Sequence, residues 1–104
     1  MRYLVTWKFL PVPPEMAKMA LALLEATEAW IEEGKKAGFI IEVWATTDAT
    51  GGVGIAEVDS NDALYEKLHE SPYSLFMQYT VTPLTDIKLS IETGKKTLKK
   101  MAGK

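Results

Sequence analysis

The stretch IAEVDSNDALYEKLHESPYSLFMQYTVTPL, residues 55–84, decides the fold. It opens in an apolar run, and the acidic and hydroxyl-bearing cluster that follows is typical of a helix start, with Asp59 or Ser60 as the N-cap. Two leucines four residues apart continue the helical pattern to about residue 70. Pro72 ends the helix, and residues 77–84 then alternate between apolar and polar side chains. The stretch therefore predicts a strand, a helix, a loop and a strand.

Upstream of this stretch, the sequence predicts another strand and a long helix. Residues 2–10 alternate in polarity and are rich in β-branched and aromatic side chains, as in a strand. Three prolines follow within four residues and force a turn, and the last of them, Pro14, suits the first turn of a helix. Residues 15–37 carry apolar side chains at spacings of three and four, and Gly38 is the expected stop.

A hairpin over residues 39–58 is predicted to lie between the two helices. Its strands cover residues 39–47 and 53–58, and the turn between them ends in a glycine pair that is expected to supply positive φ. On the second strand, Gly54 and Ala56 share a face and are expected to let a helix approach closely. On the first strand, the face toward the helices is predicted to carry Ile41, Val43 and Ala45, and the opposite face Ile40, Glu42, Trp44 and Thr46.

The order of elements over residues 1–84 is βαββαβ, which predicts a two-layer α+β sandwich. A four-stranded antiparallel sheet forms one layer, and right-handed crossovers place both helices on the same face of it. The uncovered face would carry Trp44, Val53 and Ile55. Such a face is too apolar to be left in water, so we expect at least a symmetric homodimer in which two sheets cover each other.

Residues 85–104 are predicted to form a lysine-rich C-terminal helical extension, with Thr85 as the N-cap of a helix over residues 86–101. This segment holds six lysines and two acidic residues, whereas the preceding 84 residues hold six basic and twelve acidic side chains. The balance favours packing of the extension on the acidic body of its own or a neighbouring subunit over nucleic-acid binding. Its narrow apolar seam consists of Ile87, Ile91, Gly94, Leu98 and Met101.

Composition narrows the class of protein further. At 104 residues, with 47% hydrophobic and 25% charged side chains, the chain has the ordinary composition of one globular domain. The lack of cysteine excludes disulfides and thiolate-bound metals, and a single histidine, His69, excludes a multi-histidine site within one chain. No apolar run approaches a membrane span, and the first residues lack the layout of a signal peptide. We therefore expect a cytoplasmic protein without a metal, cofactor, nucleic-acid partner or membrane partner.

Positions along most of the chain resemble one known family. The residues that carry this resemblance are Leu10-Pro11-Val12, Gly38, Trp44, Glu57-Val58-Asp59-Ser60, Ala63-Leu64, Leu68, Pro72, Met77, Val81 and Leu84. Together they make the chain similar to the muconolactone isomerase-like family of the dimeric α/β-barrel superfamily. The resemblance implies a ferredoxin-like fold and an isomerase-type activity. In that family the second strand carries arginine and histidine where this chain has Ile41, Glu42 and Ala45.

A ligand is expected on the uncovered face of the sheet. Glu42 and Glu57, on neighbouring strands beside apolar groups, are the candidate catalytic carboxylates, because desolvation raises a carboxyl pKa toward the neutral range. Proton transfer beside a carbonyl group, as in shifting a lactone double bond, suits such a pair. The candidate ligand-binding residues are Trp7, Trp44, Gln78 and Thr80, with Thr6 and Lys8 as alternatives to Trp7.

Two classes of function stay open at this point. The first is a cofactor-independent isomerase-type enzyme that acts on a small hydrophobic organic acid or lactone, with a cofactor-free monooxygenase as a variant on the same fold. The second is a non-catalytic small-molecule-binding or oligomer-forming protein, in which the glutamates are solvated or ion-paired. The glycine-rich run at residues 51–54 joins two strands and opens no helix, which excludes a phosphate loop.

Overall fold

The computed structural model describes residues 1–103 and has the order βαββαβ followed by one more helix. The predicted ferredoxin-like α+β sandwich with a four-stranded antiparallel sheet is confirmed, and its strands lie side by side in the order Ile40–Ala45, Gly51–Glu57, Arg2–Phe9 and Met77–Leu84. The elements are β1 (Arg2–Phe9), a 3-10 turn (Pro14–Met16), α1 (Ala17–Ala37), β2 (Ile40–Ala45), β3 (Gly51–Glu57), α2 (Asn61–Glu70), a second 3-10 turn (Pro72–Phe76), β4 (Met77–Leu84) and α3 (Ile87–Ala102).

The main core lies between the sheet and α2. Tyr3 is fully buried and packs with Val5, Ala56 and Leu64. Its hydroxyl donates a hydrogen bond to Oδ1 of Asn61, 2.5 Å away, at the first residue of α2. One side chain therefore fills the core and also fixes where the second helix begins, because a buried hydroxyl needs a partner.

A second core cluster joins α1 to the turn after α2. Ala20 of α1 packs there with Tyr73 and Phe76. The buried Thr27 connects the same two segments, since its Oγ1 donates to the carbonyl oxygen of Leu23 at 2.9 Å and accepts from the backbone N–H of Tyr73 at 3.0 Å. The segment after Pro72, predicted as an apolar loop, thus forms an ordered turn on α1.

The facing of β2 differs from the prediction at its first residues. Ile40 pairs with Ala56, but Glu42 pairs with Ile55, so one extra residue is inserted into β2. This β-bulge resets the alternation, because two residues of one strand then oppose one residue of the other. Ile40 is consequently buried under the helices and Ile41 is exposed, the reverse of the expectation, while Glu42 and Val43 face as predicted.

The glycines of the β2–β3 hairpin have a packing role and not the predicted turn role. Positive φ in this turn belongs to Ala49, with φ 63°, and Gly51 and Gly52 lie inside β3. A Cβ at Gly52 would overlap the indole of Trp7, and a Cβ at Gly54 would sit 2.8 Å from Cγ1 of Val43 and 3.7 Å from the same indole. At Gly52 and Gly54 the strand therefore accommodates a flat aromatic ring, whereas the expected close packing of a helix is found at Ala56, which packs with Leu64 of α2.

The helix ends follow the sequence signals closely. Gly38 takes φ 89° as the predicted stop of α1, and Ser60 is the N-cap of α2, with its Oγ accepting from the N–H of Ala63 at 3.1 Å. The N-cap of α3 is Asp86 and not the predicted Thr85, because the Asp86 carboxylate accepts from the N–H of Lys88 at 2.7 Å.

The last helix, α3, extends away from the sandwich. The molecule measures 66 Å along its long axis but only 28 and 23 Å across, and its radius of gyration is 18.2 Å, whereas about 13 Å is usual for a compact domain of this length. The division into a domain of residues 1–84 and an extension of residues 85–104 stays a prediction, and Lys104 lies outside the described residues.

Within residues 1–103, every helix falls short of the length or apolar character needed to cross a bilayer.

Candidate functional site

Five of the six predicted site residues share the uncovered face of the sheet. The register pairs Trp44 with Val53, and Val53 in turn pairs with Thr6. Thr6 pairs with Thr80 on β4. Since alternate residues of a strand share a face, the predicted residues found together there are Glu42, Trp44, Glu57, Gln78 and Thr80.

The structure corrects the predicted position of Trp7. This residue pairs with Gly52 and Tyr79, and its indole lies on the side of the sheet that the helices cover. Both faces of β1 carry apolar side chains, so the sequence alone did not decide toward which face Trp7 points. The alternatives to it, Thr6 and Lys8, do lie on the uncovered face.

Each candidate carboxylate is held by a cation of its own subunit. Oε1 of Glu42 accepts from Nζ of Lys35 at 2.9 Å and from the N–H of Val43 at 3.1 Å. Oε2 of Glu57 accepts from Nε of Arg2 at 2.8 Å. The Lys35 hydrogen bond, the Val43 N–H and the Lys35 charge lower the pKa of Glu42, and the hydrogen bond from Arg2 lowers the pKa of Glu57. A lowered pKa makes a carboxylate a weaker general base, opposite in direction to the shift that the catalytic prediction needs.

This pairing leads to a pH prediction for Glu57→Gln. A folded pKa below the ordinary 4.5 means that the ion pair stabilises the fold fully above pH 4.5, and that the contribution is lost as the pH falls through the lower folded value. Because both partners are half-exposed, the effect is small. We expect the variant's stability difference from the natural chain to shrink on acidification below pH 4.5, in urea titrations between pH 3 and 7. A stability difference between the variant and the natural chain that increases as the pH falls would contradict a stabilising ion pair.

A polar hollow of about 340 Å³ lies at one end of the uncovered face. Gln78 and Thr80 of β4 line it together with Thr6, Trp7 and Lys8 of β1 and hydroxyls of the β2–β3 turn. The sheet thus brings three of the four predicted ligand-binding residues, Trp7, Gln78 and Thr80, together beside one lysine. Glu42, Glu57 and Trp44 are not part of its wall.

A different cavity, of about 70 Å³, lies between the sheet and the helices. Its lining is almost wholly apolar and combines the indoles of Trp7 and Trp30 with residues of β2, β3, α2 and β4. It is smaller than the roughly 300 Å³ or more of typical ligand pockets. A molecule bound there has to be compact or to push a side chain of the lining aside.

Two hydrogen-bond donors lie in the wall of this cavity. The Trp7 side chain lines both this cavity and the hollow, and its Nε1 is buried without a hydrogen-bond partner among residues 1–103. The hydroxyl of Tyr79 lies 3.2 Å from Sδ of Met77, and burial raises the pKa of Tyr79 above its ordinary value of 10.0, an effect that a hydrogen bond with Ser71 partly offsets. The phenol is therefore protonated at neutral pH, and its O–H donates to that sulfur atom, which is a weak acceptor. The Trp7 N–H can donate to an oxygen atom of a ligand, and the Tyr79 O–H can do so once it leaves Sδ of Met77.

The only charged side chain in the described lining is Lys67. Its Nζ stands 4.7 Å from the centroid of the Phe39 ring and 3.5 Å from Oε2 of Glu70. No carboxylate is among the lining residues in the described part of the chain, and within residues 1–103 no group of three or more potential metal ligands comes together. The cavity offers the N–H of Trp7 to an oxygen atom within an apolar lining, but its described lining brings no acidic pair to a ligand.

Sequence reasoning missed this cavity, although one signal for it was present. Trp7 lies in register with the bare glycines of β3, so a tryptophan facing Gly52 and Gly54 indicates a ring packed flat on a strand. The absence of a partner for its Nε1 depends on how α1 and α2 cover the sheet. Only the packed structure decides that.

Comparisons with known proteins agree with this architecture. A family model described as muconolactone delta-isomerase matches residues 1–88. A solved muconolactone isomerase is 21% identical and superposes with a TM-score of 0.68 over 83% of this chain and 90% of that chain. A 5-chloro-2-hydroxyhydroquinone dehydrochlorinase from Burkholderia phenoliruptrix AC1100, solved with 2,5-dihydroxybenzoquinone, is 20% identical, with a TM-score of 0.62 over 82% and 94%. At these identities the two structures bear on the fold alone, and a search of curated protein sequences gave no match.

Proposed function

The chain belongs to the muconolactone delta-isomerase family, and we propose that it is a small cofactor-independent enzyme that binds a compact organic acid or lactone between the sheet and the helices. The proposed reaction moves a proton beside the carbonyl group of that molecule. The cavity wall formed by Trp7 and Tyr79 is the proposed binding site, in place of the uncovered sheet face.

The unpartnered Nε1 of Trp7 is the observation that carries this proposal. Leaving a buried donor unsatisfied costs about 1–3 kcal/mol, so native proteins rarely keep one without a reason. A carbonyl oxygen in the cavity would accept from this N–H. An apolar ring around that carbonyl would match the rest of the lining.

The two donors also suit the chemistry. Since the described lining holds no carboxylate, we propose that a solvent water molecule in the cavity takes the proton from the carbon beside the carbonyl and later returns it. As the proton leaves, negative charge develops on the carbonyl oxygen and the carbon–carbon double bond of the enolate forms. The Trp7 N–H would stabilise that charge in an apolar setting, where hydrogen bonds are stronger than in water, and the Tyr79 O–H would join it by exchanging Sδ of Met77 for the charged oxygen. Return of a proton to a carbon farther along the conjugated system then shifts the double bond, and the overall composition of the molecule is unchanged.

Lys67 gives a reason to favour an organic acid as the ligand. It is the one cation of the described lining, and it is half-buried beside Phe39. A carboxylate at the mouth of the cavity would meet this ammonium group, while the ring enters the apolar part. A neutral ligand would lack that attraction.

We expect Trp7→Phe and Tyr79→Phe each to slow deuterium incorporation beside the carbonyl of muconolactone by about 10²-fold, the usual effect of removing one donor to a developing oxyanion. Proton NMR in D₂O measures the exchange. Binding is followed in the Trp44→Phe background, in which the two remaining tryptophans both line the cavity.

Glu42→Gln and Glu57→Gln are the matched controls, since each removes one charge from the opposite face. We expect both to keep the full exchange rate. Loss of exchange in these two variants, with the Trp7 and Tyr79 variants active, would move the site to the uncovered face, where the catalytic role of the glutamates stays a prediction. Ligand binding without exchange in the natural chain would favour the non-catalytic alternative.

A further inference from the structure

One exposed face of α1 combines leucines with glutamates. Leu21 is 58% exposed and Leu24 is 49% exposed, whereas the opposite side of the helix, including Ala20 and Thr27, is buried. Spacings of three and four place these leucines on one strip with Glu25, Glu28 and Glu32. We call this strip the α1 strip. Within residues 1–103, its three glutamates form no ion pair.

The extended helix α3 has the complementary character. Its apolar seam is exposed along its whole length, with Ile87 at 71% and Leu98 at 65%. Lys88, Lys95 and Lys99 follow one flank of this seam at spacings of seven and four. In the described part of the chain, the only ion pair of these three lysines joins Lys95 to the neighbouring Glu92, at 3.7 Å. A helix that exposes such a seam needs a surface to pack on.

We propose that α3 of one copy of this chain packs on the α1 strip of a second copy. The seam would cover Leu21 and Leu24, and the flanking lysines would meet the glutamates. The lengths agree, since the strip spans about 16 Å from residue 21 to residue 32 and the seam about 21 Å from residue 87 to residue 101, at 1.5 Å per residue. The proposed contact lies on the helix side of the sandwich, so it is distinct from pairing through the uncovered sheet face.

A second copy fits this surface better than the chain's own body or a membrane does. In the structure α3 points away from the sandwich, along the 66 Å axis, so its own α1 strip is left free. The strip supplies acidic groups and apolar groups together, which is the pattern that a basic amphipathic helix complements. In the proposed contact, the lysines of α3 on one copy face the glutamates of the α1 strip on the other. A surface rich in lysine would repel α3 instead.

Cysteine cross-linking tests the contact directly, because the natural chain has no cysteine. Leu24→Cys in an untagged copy is mixed with Leu98→Cys in a copy carrying a solubility tag, and the mixture is oxidised. We expect a mixed disulfide at about ten times the yield given by the control pair Ala29→Cys and Leu98→Cys, since a disulfide needs Cα atoms within about 7 Å. Ala29 is exposed on the same helix but lies outside the strip.

A charge exchange tests the chemistry of the same contact. Glu28→Lys with Glu32→Lys, or Lys95→Glu with Lys99→Glu, should weaken association about 10- to 100-fold in sedimentation equilibrium, and combining all four substitutions should restore it. Glu33→Lys with Glu66→Lys changes the charge equally, away from the strip, and should leave association unchanged.

Equal yields of mixed disulfide in both cysteine pairs would overturn the proposal. A disulfide formed only within one chain carrying both Leu24→Cys and Leu98→Cys, or failure of the charge exchange to restore association, would overturn it as well.

Discussion

Ile55→Glu is expected to prevent the chain from pairing through the uncovered face of its sheet. Ile55 is half-buried at the centre of that face, between Leu4 of β1 and Glu42 of β2. Ile55, Leu4 and Trp44, of which Trp44 is 52% exposed, form the apolar part of the surface that we propose two sheets share. A carboxylate there would be buried without a partner and would lie beside Glu42, at a cost of about 3–5 kcal/mol. That corresponds to a dissociation constant raised by about 10²- to 10⁴-fold.

Sedimentation velocity of the purified chain over a range of concentrations measures this effect. Tyr65→Glu is the matched control, because it also replaces an exposed apolar side chain by a glutamate, but on the helix side. Far-UV circular dichroism of both variants checks that the sandwich is intact. A variant at position 55 that sediments like the natural chain would show that the uncovered face is not the contact surface.

Tyr3→Ala is expected to destabilise the sandwich by about 3–5 kcal/mol, a large part of the stability of a small domain. The side chain is fully buried at the centre of the core and its hydroxyl holds Asn61. Its removal leaves a void between the sheet and α2 and an amide oxygen without its donor. Urea unfolding at one fixed protein concentration measures the loss, since association also contributes to stability.

Two further variants separate the parts of that effect. Tyr3→Phe keeps the ring but removes the hydrogen bond to Asn61, and it should cost about 1 kcal/mol. Tyr65→Ala removes a tyrosine from an exposed position and should change stability by less than about 1 kcal/mol. A loss in Tyr3→Ala no larger than that of Tyr65→Ala would contradict the assigned core.

The proposed site and the proposed contacts between copies lie on different surfaces, so their tests are independent. The cavity lies beneath the helices and Ile55 is among its lining residues, whereas Trp44 lies on the uncovered face, outside that lining. A chain made monomeric by Trp44→Glu should therefore still bind its ligand if the cavity is the site. If the glutamates of the uncovered face act on a ligand held between two sheets, the same substitution should abolish binding.

The carboxylates show how far sequence reasoning reached into the site. Alternation alone correctly placed Glu42 and Glu57 on the uncovered face, because the side chains of a strand point to opposite sides in turn. The alternation did not predict which cations would form ion pairs with these two carboxylates. Lys35 comes from the end of α1 and Arg2 from β1, and their distances to the carboxylates follow from packing.

The sequence by itself determined the element order, most strand facings, the stop at Gly38 and the cap at residue 59 or 60. These features depend on local rules, such as side-chain periodicity, the φ that glycine permits and hydrogen bonds within one turn. The tertiary structure alone decided the bulge after Ile40, the indole over Gly52 and the unpartnered Nε1 of Trp7. Each of these depends on which segments meet across the sheet, and such contacts between distant residues leave no periodic trace in the chain.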